Sequence, residues 1–115
     1  MLPAKLRLKN KKEFASVFRW GKVSSNDVLA VKYSPIEPGQ LKVGFSVGLK
    51  FSKKSSKRNK VKRWMREAIR PMLSKIKPGH SLIFLVNSRF SYEQMNFPLI
   101  QEKVKDLLGK AKLFK

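Results

Sequence analysis

The sequence predicts an α+β two-layer sandwich, with helices against a sheet of about four strands in the order α-β-β-β-α-β-α. Two observations set that order. Segments that alternate or run continuously apolar (28–33, 41–49 and 80–87) are interleaved with segments whose apolar residues recur every three or four positions (11–20, 56–76 and 91–108). Size supplies the third: 115 residues, 42% of them apolar, suffice for one modest core, so residues 1–115 form a single domain.

The chain opens with MLPAKLRLKNKK, a basic arm with five Lys or Arg and no acid. Asn10 is placed to cap the helix that follows, with Glu13 three residues on as in a capping box. From Lys11 to Trp20, Phe14, Ala15, Val17 and Phe18 give a short amphipathic helix that Gly21 ends. Val23–Asn26 is a short polar strand. Val28–Tyr33 alternates, with Leu29, Val31 and Tyr33 on one face and Val28, Ala30 and Lys32 on the other. The loop SPIEPGQ reads as a turn, and LKVGFSVGL (41–49) is expected to return beside the preceding strand as an antiparallel hairpin. Gly44 and Gly48 mark a bulge or a close backbone approach within it.

Val61, Met65, Ala68, Ile69, Met72, Leu73 and Ile76 line one face of a helix from about Ser56, which Pro71 kinks or restarts toward Lys75. After a Pro78-Gly79 turn, HSLIFLVN (80–87) has the unbroken apolar pattern of a strand buried on both faces. A last helix runs from Ser91 or Tyr92 to Leu108, interrupted near Pro98. Gly109 closes it, and KAKLFK remains as a basic tail.

Charge points to the partner. The 27 basic and 7 acidic residues give a formal net charge of +20, and Lys50–Arg66 carries nine Lys or Arg with no acid before Glu67. Within it Arg58, Lys62 and Arg66 stack at four-residue intervals, flanked by Lys60 and Arg63. Such pairs repel by a few tenths of a kcal/mol each, so folding alone does not select them. A solvated face mixes Glu with Lys; this one excludes acid, which favours a polyphosphate partner. A membrane surface is the competing anion, but no apolar run approaches the roughly 20 residues of a span. The absence of cysteine fits a reducing cytoplasm and excludes disulfides and thiolate metal sites. The single histidine, His80, has no second histidine to share a metal and reads as structural, and the seven acids are scattered without a pair for acid-base or two-metal work. No catalytic residue is assigned. Phe14 and Phe18, one turn apart, are core residues first; edging a basic cleft, they could also stack on bases.

The run Arg58-Asn59-Lys60-Val61-Lys62-Arg63, continued by Arg66-Glu67, resembles the signature helix of the bacterial ribonuclease P protein subunit, loosely Arg-Asn-Arg-x-x-Lys-Arg-x-x-Arg-Glu, with one residue fewer before Lys62. Val43-Gly44-Phe45-Ser46-Val47 and the series Arg7-Leu8, Glu13-Phe14, Val17-Phe18, Gly21 resemble the same family in the same order. The resemblance implies a cytoplasmic subunit that joins a catalytic RNA to remove the 5′ leader of precursor tRNA. It further implies Mg2+ held by the RNA, no required protein partner, and a left-handed crossover from the third strand through the basic helix to the fourth. Arg58, Asn59, Lys60, Lys62, Arg63 and Arg66, with Lys50, Lys53 and Lys54 before them, would contact RNA. Phe14, Phe18, Arg7 and Lys11 would edge a leader cleft. There the family's usual tyrosine falls at Val31, with Tyr33 two residues on. Lys60 stands for an arginine and Leu49 for a lysine. The rival reading is a ribosomal or ribosome-associated RNA-binding protein; a DNA-compacting protein is a third.

Overall fold

The computed structural model describes residues 6–8 and 11–115. The proposed cap Asn10 lies outside them. Helix α1 (Lys11–Trp20) is followed by β1 (Lys22–Ser25), β2 (Leu29–Pro35), β3 (Leu41–Ser46), α2 (Ser55–Ile69), β4 (His80–Val86) and α3 (Phe97–Lys110). The expected order holds.

The sheet runs β1-β2-β4-β3, so β2 and β3 are not a hairpin. β4 lies between them, antiparallel to β2 with Val31 opposite Phe84, and parallel to β3 with Val43 beside Leu82. The hairpin is instead β1–β2, closed by Asn26, whose Oδ1 accepts from the backbone N–H groups of Val28 and Leu29 at 3.1 and 2.8 Å. Burial decides the central place: Leu82, Ile83 and Phe84 are fully buried on alternating faces, whereas β3 presents Lys42, Gly44 and Ser46 on one of its faces. The 36–40 loop is tied to the turn before β4, with Ile36 N–H donating to the Gly79 carbonyl at 2.9 Å, and this holds β2 and β3 apart. The parallel pair β3 and β4 is joined through α2.

The main core is a two-layer sandwich. Leu29, Val31, Leu82 and Phe84 from the sheet meet Val61, Met65 and Ile69 of α2 and Ile100, Val104 and Leu107 of α3. On the opposite face α1 covers a smaller cluster of Val17, Leu8 and Ile83, with Phe14 and Leu85 beside it.

One local expectation is sharpened and two need correction. Pro71 turns the end of α2 into a 3₁₀ segment, Arg70–Lys75, because its nitrogen cannot donate to the Glu67 carbonyl. The last helix is not interrupted at Pro98 but begins there: a 3₁₀ turn, Tyr92–Gln94, precedes it, Pro98 sits in the first turn, and Asn96 Oδ1 caps Leu99 N–H at 2.9 Å. Nor does Gly109 close that helix. The chain reverses at Lys112, in the left-handed region at φ 57°, and the tail docks: Leu113 is buried and Phe114 bridges to Ile76.

Candidate nucleic-acid interface

The apolar stripe of α2 fixes its roll. With Val61, Met65, Ala68 and Ile69 turned inward, a rotation of about 100° per residue sends Arg58, Lys62 and Arg66 along one flank, Asn59 and Arg63 outward, and Lys57 and Lys60 to the other flank. Arg66 lies beside β3, its guanidinium carbon 5.9 Å from the Phe45 ring centre. Arg58 Nη1 donates to the Ser52 carbonyl at 2.9 Å. Lys60 Nζ stands 5.2 Å over Trp64, which stacks on Tyr92 at 6.5 Å. Among the described residues, Arg58, Lys60, Lys62, Arg63 and Arg66 have no carboxylate partner, and neither do Lys50, Lys53 and Lys54 in the preceding loop.

The start of α2 adds to this field. No acid stands in its first turn and no side chain caps it, although Lys53 and Lys54 stand there beside Lys57, which Glu93 partly offsets. Cations at the positive end of a helix dipole are unfavourable, by a few tenths of a kcal/mol or more, until an anion arrives.

The acids are used elsewhere. Asp27 Oδ1 is 2.8 Å from Lys103 Nζ, and Asn26 Nδ2 donates to both the Lys103 carbonyl and Asp106 Oδ2 at 3.1 Å, latching the β1–β2 turn to α3. The hydrogen bond from Lys103 holds Asp27 below the usual aspartate range and raises Lys103 in turn; that from Asn26, with Lys110 nearby, lowers Asp106. Glu93 is lowered first by the Ser91 hydroxyl and then by Lys57, which lies 3.6 Å from it.

On the other face of the sheet, Phe14 and Phe18 stack with ring centres 5.9 Å apart. Gly44 makes room for them, since a Cβ there would sit 2.7 Å from the Phe14 ring; this is the close approach the strand glycine suggests. Phe18 is 36% exposed, and Lys32 Nζ lies 4.6 Å over its ring. Val31 and Tyr33 do not belong to this cleft. The alternation of β2 turns both toward α2 and α3, where Val31 is fully buried. Lys32, opposite Ile83, takes the place beside Phe18. Sequence reasoning grouped the two faces of β2 correctly and assigned the wrong one to α1. Arg7 bridges to Val43 along the β3 edge, and Lys11 is exposed at the start of α1. Across α1 from the rings lies an open groove of about 450 Å³ lined by Ser16, Ser34, Lys42 and Ser81, among others.

Among the described residues, no group of three or more His, Asp or Glu is placed to hold a metal ion, and no helix is long and apolar enough to cross a membrane. His80 is half-buried at the start of β4, with its Nδ1 lacking a hydrogen-bond partner.

With a basic helix on one face of the sheet and a ring-lined cleft on the other, the chain matches the Ribonuclease P family model over residues 2–112. The chain belongs to the ribonuclease P protein family. Relatives named ribonuclease P protein component include one from a Synechococcus strain, 33% identical over 98% of this chain and 86% of the relative, and one from Picosynechococcus, 33% identical over 98% and 96%. The RNase P protein structure from Thermotoga maritima superposes with a TM-score of 0.80 at 29% identity, covering 90% of this chain and 96% of that one. The Staphylococcus aureus RNase P protein gives 0.81 at 25%, covering 96% and 98%. Membership makes this chain a ribonuclease P protein component, with a role in tRNA 5′ maturation and an RNA partner in a ribonucleoprotein. The ribosomal alternative is not favoured.

Proposed function

We propose that the two faces of the sheet divide the work of this subunit. Arg58, Asn59, Lys60, Lys62, Arg63 and Arg66 of α2, with Lys50, Lys53 and Lys54, dock on the backbone of a catalytic RNA. On the other face Phe18, Phe14 and Lys32 hold the single-stranded 5′ leader of precursor tRNA, with Arg7 and Lys11 nearby. The observation that carries this reading is the face of α2 formed by Arg58, Lys62, Arg63 and Arg66, which the fold orients by its buried stripe and which has no carboxylate partner among the described residues. Lys60 contributes charge without the planar fork of an arginine.

Chemistry belongs to the RNA. Among the described residues no group of three or more His, Asp or Glu is placed to hold a metal ion; Mg2+ bound by the RNA partner would supply the metal chemistry of phosphodiester hydrolysis. What this chain supplies is neutralisation and position. Phosphate contacts bring the two RNAs together against their mutual repulsion, and one stacked base on Phe18 adds about 1 to 3 kcal/mol without reading sequence. The chain works in the cytoplasm, where precursor tRNA is made.

Reconstitution tests the reading. Adding the protein to a bacterial ribonuclease P RNA should permit precursor-tRNA cleavage at magnesium concentrations where the RNA alone is slow; no gain in cleavage would contradict it. Phe18→Ala should weaken affinity for a leader-bearing precursor by about 5-fold or more and leave affinity for leaderless tRNA unchanged. Equal effects on both would remove Phe18 from the leader path.

A further inference from the structure

We infer that a second RNA-binding surface lies where the docked carboxy-terminal tail meets the end of the α2 arm, and that it takes an unpaired segment of the catalytic RNA. Two adjoining grooves, of about 450 and 380 Å³, share Lys75, Lys105 and Phe114 in their walls, and Lys115 lines the smaller one. The three lysines are exposed, and none has a carboxylate partner among the described residues. Glu102 is the one acid on these walls, leaving the surface cationic.

The surface is held in place by backbone. Lys77 N–H donates to the Leu113 carbonyl at 2.7 Å and Lys115 N–H to the Lys75 carbonyl at 2.8 Å, while Leu113 anchors the tail in the core. Phe114 is thereby fixed half-buried in a groove that Lys75, Lys105 and Lys115 also line, a grouping of ring and cations that suits a base with its flanking phosphates.

Continuity selects the catalytic RNA. The Arg70–Lys75 segment follows α2 directly in the chain, so Lys75 stands at the carboxy-terminal end of the arm whose cations include Arg58, Arg63 and Arg66. The leader cleft is on the far face of the sheet, under α1. This inference rests on the proposed docking of α2, and the test separates the two.

The experiment measures the affinity of the full chain for a bacterial ribonuclease P RNA that it activates, and for a ten-nucleotide single-stranded leader, across a salt series. Combining Lys75→Gln, Lys105→Gln and Lys115→Gln should weaken binding to the catalytic RNA by about 10-fold or more and make the slope of log affinity against log salt shallower by roughly two to three. Leader affinity should stay within about twofold. Phe114→Leu, which keeps an apolar side chain under the tail, should cost about 5-fold on the catalytic RNA alone. Should the triple variant unfold, Lys75→Gln with Lys105→Gln leaves the tail untouched and should retain most of the change. An unchanged slope here, beside a reduced one for Arg58→Gln with Lys62→Gln and Arg66→Gln, overturns this surface only. Unchanged slopes in both overturn the α2 reading as well. A loss confined to the leader overturns the assignment to the catalytic RNA.

Discussion

Helices α2 and α3 pack side by side in one layer, bury similar apolar stripes and are both rich in lysine, yet their charges are handled in opposite ways. In α3, Lys103 pairs with Asp27 and Lys110 with Asp106, and Asn26 binds into the same network. In α2, Lys57 meets Glu93 at 3.6 Å and Glu67 is paired with Arg70 at the far end, but among the described residues Arg58, Lys60, Lys62, Arg63 and Arg66 have no such partner. With only 7 acids against 27 cations, where the acids stand separates cations that serve the fold from those that await a ligand. Lys105, on α3 but away from the Asp27 latch, falls in the second group.

The comparison can be broken at several points. The largest effect is expected inside. Met65→Ala should destabilise the protein by about 2 to 5 kcal/mol in denaturant unfolding, because the side chain is fully buried, while RNA affinity per folded molecule stays the same; a matching loss of affinity would mean that the inner and outer faces of α2 are not separable.

The next effect is at the latch. Asn26→Ala removes two accepted and two donated hydrogen bonds and should cost about 1 to 3 kcal/mol, with no change in the salt dependence of RNA binding. A shallower salt dependence would place the α3 network among the RNA contacts.

The smallest is a pH effect. Asp27 is held below its ordinary range by Lys103, so its contribution is present above the ordinary aspartate pKa and is lost as pH falls through the depressed folded value. The melting temperature of Asp27→Asn should lie below that of the parent at pH 7, and the gap should close below about pH 4. A gap constant down to pH 3 would show that the pair does not stabilise the fold through charge.

Local pattern carried much of the fold. The range Lys11–Trp20 is legible because an amphipathic period stops at Gly21, whose N–H donates to the Val17 carbonyl at 2.9 Å and where a Cβ would meet that carbonyl at 2.5 Å. The central place of β4 follows from an apolar run that needs cover on both faces. Its partners do not: pairing joins residues far apart in sequence, so the antiparallel neighbour of β2 looked like the next strand and is in fact β4. The same limit misplaced Val31 and Tyr33. Alternation tells which residues share a face of β2, and only the packing of α1 tells which face it covers. Lys32 over Phe18 follows from that packing alone. The tail reads only as basic because three lysines are interleaved with its three apolar residues, yet Leu113 and Phe114 dock once a left-handed turn at Lys112 aims the chain back.

The most direct test removes equal charge from each helix. Arg58→Gln with Arg63→Gln on α2, and Lys103→Gln with Lys110→Gln on α3, each take away two cations, and the affinity of both variants for the catalytic RNA is followed from low to high salt. The α2 pair should make the slope shallower by about 1.8, and the α3 pair should leave it where it was. Equal changes in the two would contradict the account, because net charge rather than unpartnered position would then be what holds the RNA.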